Sequence, residues 1–302
     1  MHWIDTFKKE IPGEHRPGEL LSAHTNFRIG GPADVLFVPH DTGALEDALK
    51  FLQAENVPAL ILGGGYNLLV SDEGFRGAVI KLPETISEPL LFDGDTVCAS
   101  AGLPLKRLVH EAAARGLSGV ENLAGIPGAV GGAVYMNAGA YGSCVADVCV
   151  SATTVSAHGG VRELNAEQLQ FSYRRSVLQE DRSLVAVGAV FHLSAGADPA
   201  ALEARCREII KTRNSKHPVG LPSGGSFFKN TRGLPPAGRL IEETGLKGLS
   251  VGGAQVSPMH ANFIVNTGGA TCRHVLDLMA LVQEKVQQAH GILLEPEVRI
   301  IA

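Results

Sequence analysis

The sequence has few cysteines and no arrangement of them that would form disulfides or bind a metal ion. The five cysteines make an odd set without a CxxC pair, and no histidine stands at metal-ligand spacing. These absences exclude the disulfide framework of a small secreted domain and the usual zinc module. We therefore expect reduced, mostly buried thiols, no metal and a cytoplasmic location.

An export signal and an excess of positive charge are also missing. The first ten residues alternate charged and apolar side chains and lack the apolar core of a signal peptide. The formal net charge is −5, whereas a nucleic acid or an anionic membrane requires a basic face. We therefore expect no nucleic-acid partner, no membrane partner and a small ligand.

A long apolar helix is absent as well. Residues 123–146 are uncharged but contain six glycines and a proline, which a membrane-spanning helix would rarely combine. A glycine-rich uncharged segment is better interpreted as backbone that lies close against a flat ligand.

The most informative stretch that is present is Gly63–Gly65, which lies between the apolar runs Leu60–Leu62 and Leu68–Val70. This pattern predicts a strand, a tight loop and a strand. Three glycines in a row remove every Cβ, so backbone N–H groups can converge on an anion. The Gly-Lys-Ser/Thr of a P-loop and the GxGxxG of a nicotinamide-dinucleotide fold are both missing. We predict a pyrophosphate site, with an ordinary glycine-rich hairpin turn as the alternative.

The length of 302 residues predicts two or three compact units. We assign residues 1–83 to a β-α-β domain joined by the closing strand 293–302, residues 84–196 to a domain with an antiparallel sheet, and residues 197–292 to a third domain. The predicted strands are 34–38, 57–62, 78–82, 96–100, 145–155, 184–193, 251–256, 262–265 and 293–301. The predicted helices begin near 41, 104, 199, 237 and 272.

Eight motifs, taken in order, resemble one family closely, UDP-N-acetylenolpyruvoylglucosamine reductase. They are Asn26–Ala33, Leu62–Asp72, Ala124–Gly142, Tyr173–Ser176, Gly225–Asn230, Ala237–Gly248, Pro258–Asn266 and Glu295–Ile301. The resemblance covers nearly the whole chain and is to the shorter branch of the family, because no long insertion separates Arg174 from Ser226. It implies an α+β fold class, the flavin-binding fold of the vanillyl-alcohol-oxidase (PCMH) type with a third, substrate-binding α/β domain.

The resemblance also implies an activity. A member of this family is an NADPH-dependent, FAD-containing oxidoreductase that reduces a UDP-sugar enolpyruvyl ether to UDP-N-acetylmuramate for the bacterial cell wall. We expect the FAD to be non-covalent, because neither His nor Cys occurs in 63–67 or 124–142. We expect a monomer or a weak oligomer.

The motifs carry the family's cofactor-binding positions onto this sequence. The candidates for holding FAD are Asn26, Arg28, Gly30, Gly63, Gly64, Gly65, Tyr66, Asn67, Gly125, Ile126, Pro127, Gly128, Gly131, Gly132, Asn137, Gly139, Ala140 and Tyr141. Two residues depart from the family's pattern. Tyr66 stands where a smaller residue is common, and Thr231 stands where a proline is common.

The same motifs imply three catalytic residues. Arg174 would hold the substrate carboxylate, Ser226 would protonate the α-carbon, and Glu297 would assist as an acidic side chain. Without the resemblance, Ser226 would be a loop serine that makes a turn hydrogen bond. Glu295 lies two residues before Glu297 and would point the same way on a strand. The implied substrate-binding residues are Tyr173, Lys229, Asn230 and His260.

Two other functions remain open at this point. One is a flavin-dependent alcohol or sugar oxidase of the same fold, which would need a general base. The other is a non-catalytic nucleotide-binding protein that uses the same glycine loop.

Overall fold

A computed structural model gives the fold of residues 2–301. The helices are α1 (His2–Glu10), α2 (Thr42–Ala54), α3 (Leu105–Ala114), α4 (Val130–Tyr135), α5 (Val177–Glu180), α6 (Pro199–Lys216), α7 (Ala237–Glu243) and α8 (Cys272–His290). The strands are β1 (Gly13–Pro17), β2 (Ala33–Pro39), β3 (Ala59–Leu62), β4 (Leu68–Val70), β5 (Phe75–Lys81), β6 (Leu90–Asp93), β7 (Thr96–Ser100), β8 (Gly139–Ala140), β9 (Ser143–Cys144), β10 (Cys149–Ser156), β11 (Gly160–Asn165), β12 (Val185–His192), β13 (Ser250–Val251), β14 (Ala254–Val256), β15 (Ile264–Asn266) and β16 (Arg299–Ile301).

Tertiary contacts divide the chain into two compact units, each made of several stretches. The first unit contains the residues up to 17 together with 34–64 and 77–211, and the second contains 18–33, 65–76 and the residues from 212 onward. Helix α6, with which we opened the third predicted domain, packs through Leu202, Cys206 and Ile209 into a core cluster of the first unit. The division into three domains stays a prediction.

The first sheet of the first unit has the order β1-β2-β5-β3. Helix α2 connects strand β2 to strand β3. Strand β3 then pairs in parallel with β5. Helix α2 begins where predicted, because the Asp41 carboxylate accepts the Ala44 N–H at 2.8 Å. The sequence analysis did not predict helix α1, whose Phe7 is fully buried and contacts the ring of Phe37.

The second sheet of the first unit confirms the predicted antiparallel sheet. Its order is β11-β10-β12-β7-β6, and every neighbouring pair is antiparallel. Helix α3 packs against it through Leu105, Leu108, Val109 and Ala112. The positions of these four residues fit one face of a helix, which is why this element was predicted to within one residue.

The second unit is organised around α8 and the short sheet β13-β14-β15. Thr271 caps α8 by accepting the His274 N–H at 3.1 Å, and Gly291 ends it with a φ of 69°. Its inward stripe of Val275, Leu278, Val282 and Val286 is fully buried. Each such side chain contributes about 1.5–3 kcal/mol when it leaves water.

Several predicted strands differ from the structure. The strand predicted at 145–155 begins at Cys149, after a 3-10 turn at Val145–Asp147. Residues 251–256 form two strands that turn at Gly252 and Gly253 rather than one. Of the closing strand 293–301, residues 299–301 are regular strand. Pro296, which lies before this strand, makes an isolated bridge with Phe228. The strand predicted at 57–62 begins at Ala59.

Candidate functional site

The glycine loop joins two strands that belong to different sheets. Strand β3 before the loop pairs with β5, and strand β4 after it pairs in parallel with β16. The alternative of an ordinary hairpin turn is therefore wrong, because the two flanking strands do not pair with each other. The chain passes from the first unit to the second between Gly64 and Gly65.

The loop offers a run of backbone donors. Among residues 2–301, the N–H groups of Gly63, Gly64, Gly65 and Tyr66 donate to no other group of the protein. Gly63 and Gly64 are exposed, and a Cβ on Gly63 would meet no atom within 4 Å. Adjacent backbone N–H groups without protein partners are the donors that an anion-binding loop requires, so the loop is compatible with a pyrophosphate.

The absence of a side chain at Gly65 is required by the fold itself. Its φ is 68°, and a Cβ there would lie 2.0 Å from the backbone oxygen of His24. The carbonyl of Gly65 accepts the N–H of Asn26 at 2.9 Å. The third glycine thus allows the segment around Asn26 to lie directly against the loop.

The side of the loop that belongs to the second unit is held by polar contacts to distant parts of the chain. The Asn67 amide donates to the Glu297 carbonyl at 3.1 Å, and the Asn67 carbonyl accepts the Arg299 N–H at 3.0 Å. The Asp72 carboxylate accepts the N–H groups of Cys272 and Arg273 at 2.8 and 3.1 Å. A carboxylate there also complements the N-terminal end of α8.

Two further cofactor candidates of the second unit lie on the segment that precedes β2. Arg28 is exposed and has a left-handed φ of 55°. The φ of Gly30 is 138°, and a Cβ there would lie 3.0 Å from the Cβ of Val70 on β4. The Asn26 amide donates to the Ser223 carbonyl at 2.6 Å, which connects this segment to the stretch that leads to Ser226.

The glycines of the uncharged segment in the first unit are of two kinds. A Cβ on Gly131 would lie 2.8 Å from the Cβ of Ala101, and one on Gly139 would lie 2.7 Å from the carbonyl oxygen of Ser143. These two glycines allow close packing of the protein itself. Gly132 and Gly142 are exposed, and a Cβ added at either position would meet no atom within 4 Å, so these positions leave space for a ligand.

The remaining cofactor candidates of this segment surround those glycines. Gly125 is buried, Ile126 and Gly128 are half-buried, and Pro127 is exposed. Ala140 is half-buried at the end of β8, and Tyr141 follows it with 46 % of its surface exposed and a φ of 52°.

Asn137 lies near the end of the segment, and its side chain is bonded within the protein. The Asn137 amide donates to the Ser172 carbonyl at 2.9 Å, and its oxygen accepts the Ala146 N–H at 2.9 Å. The side chain is buried, so these bonds stabilise the local fold.

Arg174 lies beside this segment. Its guanidinium donates to the Gly139 carbonyl at 3.1 Å and lies 5.1 Å from the ring centre of Tyr173. The φ of Arg174 is 57°, a left-handed value that costs a non-glycine residue about 1–2 kcal/mol. Tyr173 is 56 % exposed. Within the first unit the structure therefore brings the predicted Tyr-Arg pair to the end of the uncharged segment.

Ser226 and Glu297 are connected in the second unit. The Glu297 N–H donates to the carbonyl of Phe227 at 2.8 Å, one residue after Ser226. Both Ser226 and Glu297 are half-buried. Among the described residues the Ser226 hydroxyl makes no hydrogen bond, whereas the nearby Ser223 hydroxyl accepts the Gly225 N–H at 3.5 Å. The turn serine of this loop is Ser223, and the hydroxyl of Ser226 is available to a ligand.

The segment after Ser226 is held by a buried amide that the sequence analysis missed. Asn262 is 2 % exposed, and its side chain accepts the Phe228 N–H at 2.9 Å and donates to the Phe228 carbonyl at 2.8 Å. The Asn262 carbonyl accepts the Phe227 N–H at 2.7 Å. The Asn262 side chain bonds to both the N–H and the carbonyl of Phe228, as the backbone of a neighbouring strand would. The two residues are 34 positions apart in the chain.

The predicted substrate ligands of the second unit already have protein partners. The Lys229 ammonium pairs with the Glu295 carboxylate, and the Lys229 N–H donates to the Glu295 carbonyl at 2.8 Å. The Asn230 side chain accepts the N–H of Ala237 at 2.9 Å, at the start of α7. Glu295 and Glu297 do not lie on regular strand. The alternation of side chains along a strand therefore no longer supports the prediction that these two carboxylates point the same way.

His260 belongs to a cluster of rings. Its ring centre lies 5.1 Å from that of His217 and 5.0 Å from that of Phe263. Burial lowers the pKa of His260 and lowers that of His217 to about 4. The His260 Nδ1 accepts the Asn262 N–H at 3.2 Å, so a neutral ring carries its proton on Nε2.

The described residues show no other obvious chemistry. Between residues 2 and 301, no group of three or more His, Cys, Asp or Glu side chains could hold a metal ion. In the same range no helix combines the length and the apolarity that crossing a membrane requires. The five cysteines are free.

Comparison with known proteins decides the family. The sequence model described as "FAD binding domain" matches residues 33–165, and the one described as "UDP-N-acetylenolpyruvoylglucosamine reductase, C-terminal domain" matches residues 217–301. UDP-N-acetylenolpyruvoylglucosamine reductase of Bacillus licheniformis is 44 % identical over 299 residues, which is 99 % of this chain and 97 % of the relative. The chain belongs to the UDP-N-acetylenolpyruvoylglucosamine reductase family.

Two further relatives agree with this assignment. UDP-N-acetylenolpyruvoylglucosamine reductase 2 of Symbiobacterium thermophilum is 45 % identical over 96 % of this chain and 92 % of its own. The crystal structure of the Thermus caldophilus reductase superimposes with a TM-score of 0.81 at 36 % identity, over 97 % of this chain and 100 % of that one. The predicted fold class, an α+β chain with a flavin-binding fold of the vanillyl-alcohol-oxidase type, is confirmed.

The position and the free N–H groups of the glycine loop are consistent with a reductase family that binds FAD. The matched FAD-binding region contains Gly63–Asn67 and the uncharged segment. The four backbone N–H groups without protein partners and the open position at Gly63 fit the pyrophosphate of FAD. Tyr66, the departure from the family's pattern, is 39 % exposed, and Thr231, the second departure, is exposed.

Proposed function

We propose that this protein reduces UDP-N-acetylglucosamine enolpyruvate to UDP-N-acetylmuramate with NADPH as the hydride donor. The observation that carries the proposal is its similarity over nearly the full length to reductases of that name. When bound, FAD supplies the hydride chemistry that links NADPH to the enolpyruvyl double bond. The reaction consumes one hydride at the β-carbon and one proton at the α-carbon.

The glycine loop would hold the cofactor. The N–H groups of residues 63–66 would donate to the pyrophosphate oxygens. Because Gly132 has no side chain, the backbone there would be able to approach the isoalloxazine ring of FAD closely. Asn26 and Asn67 would act by supporting the loop, since their side chains bond to protein carbonyls.

Arg174 would neutralise the substrate as negative charge develops. Hydride addition at the β-carbon places charge on the α-carbon and its carboxylate, and a guanidinium binds a carboxylate through two parallel hydrogen bonds. In this structure the same group donates to the Gly139 carbonyl, a weaker partner that a carboxylate would outcompete.

Ser226 would deliver the proton and Glu297 would assist it. The Ser226 hydroxyl has no hydrogen-bond partner among the described residues, so it is available to face the α-carbon. A hydroxyl is a weak acid, but a carbon that carries negative charge is a strong base. Glu297 is tied to the Ser226 segment through the carbonyl of Phe227. Lys229, Asn230, Tyr173 and His260 would bind the rest of the sugar nucleotide.

The proposal is tested on the purified yellow protein without oxygen. NADPH should bleach the flavin absorbance, and the enolpyruvyl sugar nucleotide should restore it with formation of UDP-N-acetylmuramate. A flavin oxidase would be bleached by an alcohol or a sugar and restored by oxygen. A non-catalytic binding protein would show neither change. Bleaching that the enolpyruvyl substrate cannot reverse would contradict the proposed function.

A further inference from the structure

The turn that carries Arg174 is held in an unfavourable backbone conformation by a small set of hydrogen bonds. Arg174 has a φ of 57°. Ser172 and Arg175 bond to each other through both backbone groups, at 3.0 and 3.1 Å. A left-handed arginine persists only where surrounding contacts favour that conformation over the extended one. The contacts that do so decide where the guanidinium lies.

Gln179 contacts the backbone of Arg174 directly. Its amide nitrogen donates to the Arg174 carbonyl at 2.9 Å and to the Tyr135 carbonyl at 2.8 Å. The two shorter contacts connect the turn to the last residue of α4, and the same nitrogen lies 3.6 Å from the Met136 Sδ. The Gln179 side chain thus bridges the turn and the glycine-rich segment that contains α4 and Gly139.

A second amide holds the other end of the turn. Asn137 donates to the Ser172 carbonyl at 2.9 Å. Ser176, which is buried and follows the turn, also donates to the Tyr135 carbonyl at 2.8 Å. The turn is therefore fastened to residues 135–137 at three points, and the contact from Gln179 is the one that includes the Arg174 peptide group.

We propose that Gln179 is a positioning residue for Arg174, which orients the guanidinium towards the substrate carboxylate by holding the Arg174 peptide in its left-handed conformation. The inference rests on the proposed function, because it assumes that Arg174 binds that carboxylate. Gln179 would thus affect the geometry of the reaction without touching the substrate. Loss of the amide donor releases the Arg174 carbonyl, and the arginine relaxes to an extended conformation that points its side chain elsewhere.

The test uses variants of the full-length flavoprotein. Gln179→Met keeps the size of the side chain and removes its donors, and Gln179→Glu places a carboxylate against two carbonyl oxygens. Gln170→Met is the matched control, because Gln170 is an exposed glutamine of the same region with a φ of 48°. Misplacing a binding group by about 1 Å lowers rates by as much as 10²-fold. We expect kcat/KM for the enolpyruvyl substrate to fall by about 10- to 10²-fold in Gln179→Met, further in Gln179→Glu, and not in Gln170→Met.

A double-mutant cycle separates positioning from a general structural role. If Gln179 acts through Arg174, then adding Gln179→Met to Arg174→Ala should lower kcat/KM by less than about twofold. A full further loss in that background would overturn the proposal. Flavin content is measured in every variant, and the rates are expressed per bound flavin.

Hydrogen exchange supplies a readout that does not depend on activity. Gln179→Met should speed exchange of the Ser172 and Arg175 amides by about tenfold or more, because their mutual bonds exist only in the turn. Unchanged exchange would overturn the proposal. Full activity of Arg174→Ala would overturn the role of Arg174 in the proposed function, and the exchange rates would still show whether Gln179 holds the turn.

Discussion

Ser226 gives the most direct test of the proposed reaction at the scale of one residue. If its hydroxyl supplies the proton, Ser226→Ala should lower the rate of reaction with the enolpyruvyl substrate by about 10²–10⁴-fold, the usual effect of losing a general acid. Bleaching of the flavin by NADPH should keep its normal rate, because that half of the reaction does not use the serine. Stopped-flow absorbance measures the two halves separately.

Two controls accompany this prediction. Ser226→Cys should recover part of the activity, because a thiol can also donate a proton. Ser223→Ala removes a buried hydroxyl three residues earlier that serves the turn, and it should affect both halves equally or neither. If Ser226→Ala slows bleaching by NADPH as much as the second half, the serine is structural and Glu297 becomes the first candidate for the acid.

Two glycines of the loop should respond differently to the same substitution. A Cβ on Gly65 would lie 2.0 Å from a backbone oxygen at a φ of 68°, whereas one on Gly63 would meet nothing within 4 Å. We expect Gly65→Ala to cost roughly 3 kcal/mol or more, since backbone must move. Such a cost lowers the melting temperature by roughly 5–10 °C.

The comparison is made by thermal unfolding of the two apo proteins, so that cofactor binding does not contribute. Gly63→Ala should melt within about 1 °C of the wild type, because a surface substitution without a new contact changes stability by roughly 0.5 kcal/mol or less. Equal melting temperatures for Gly65→Ala and Gly63→Ala would show that the close contact with His24 is not required.

At the scale of an element, the ring cluster of the second unit should make stability depend on pH. His217 is packed against His260 and Phe263, and its Nδ1 is buried without a partner among the described atoms. Burial lowers the pKa of His217 to about 4, with Arg213 and Lys216 as further positive neighbours. The groups that face His260 are Lys247, which lowers its pKa, and Glu242, which raises it.

The sign of the effect follows from proton uptake. The unfolded chain binds a proton at His217 below about pH 6.5, whereas the folded chain does so only nearer pH 4, so stability falls as the pH drops between these values. The lowered pKa of His260 acts in the same direction. For His217 the loss is at most about 3 kcal/mol, and less because the ring is partly exposed. His217→Phe should flatten the dependence of the urea midpoint between pH 7.5 and pH 5. An unchanged slope in His217→Phe would contradict the assignment.

The elements that the sequence predicted well have signals that lie close together in the chain. The cap at Thr271, the buried stripe of α8 and the terminator Gly291 all lie within one short segment. Strand β4 shows the opposite case. Its partner β16 lies at the other end of the chain. The sequence analysis joined the closing strand to residues 1–83 without naming its partner there, because pairing between distant short strands leaves no local pattern. For the same reason the hairpin alternative for the glycine loop could not be excluded from the sequence.

The candidate site shows the same limit. The resemblance supplied Arg174, Ser226 and Glu297, because these residues belong to recognisable motifs. It did not supply Asn262 or Gln179, whose partners are backbone groups of other segments. An amide that binds backbone is specified by three-dimensional position, and neither composition nor spacing reports it. The shared direction predicted for Glu295 and Glu297 assumed a strand, and neither residue lies on regular strand, so their relative direction stays a prediction.

For the whole molecule, the arrangement of cysteines bears on how the flavin is held. No His or Cys lies in residues 63–67 or 124–142. Cys144 follows the second of these segments, and its thiol donates to Asp147 while burial raises its pKa. Burial raises the pKa of Cys149 to about 12. A thiol must lose its proton to form a covalent bond with an electrophilic ring, so neither cysteine is suited to tether a flavin.

We therefore expect acid precipitation of the yellow protein to release all of its chromophore into the supernatant, where absorbance gives the ratio of FAD to protein. The apo protein prepared in this way should regain stability when FAD is added. Because a ligand that binds only the folded state stabilises it by RT ln(1 + [L]/Kd), FAD at a hundred times its Kd should add about 2.7 kcal/mol. The melting temperature should then rise further with each tenfold increase in FAD. Colour that stays in the pellet would contradict a non-covalent cofactor, and a melting temperature that does not respond to FAD would contradict its binding to the folded chain.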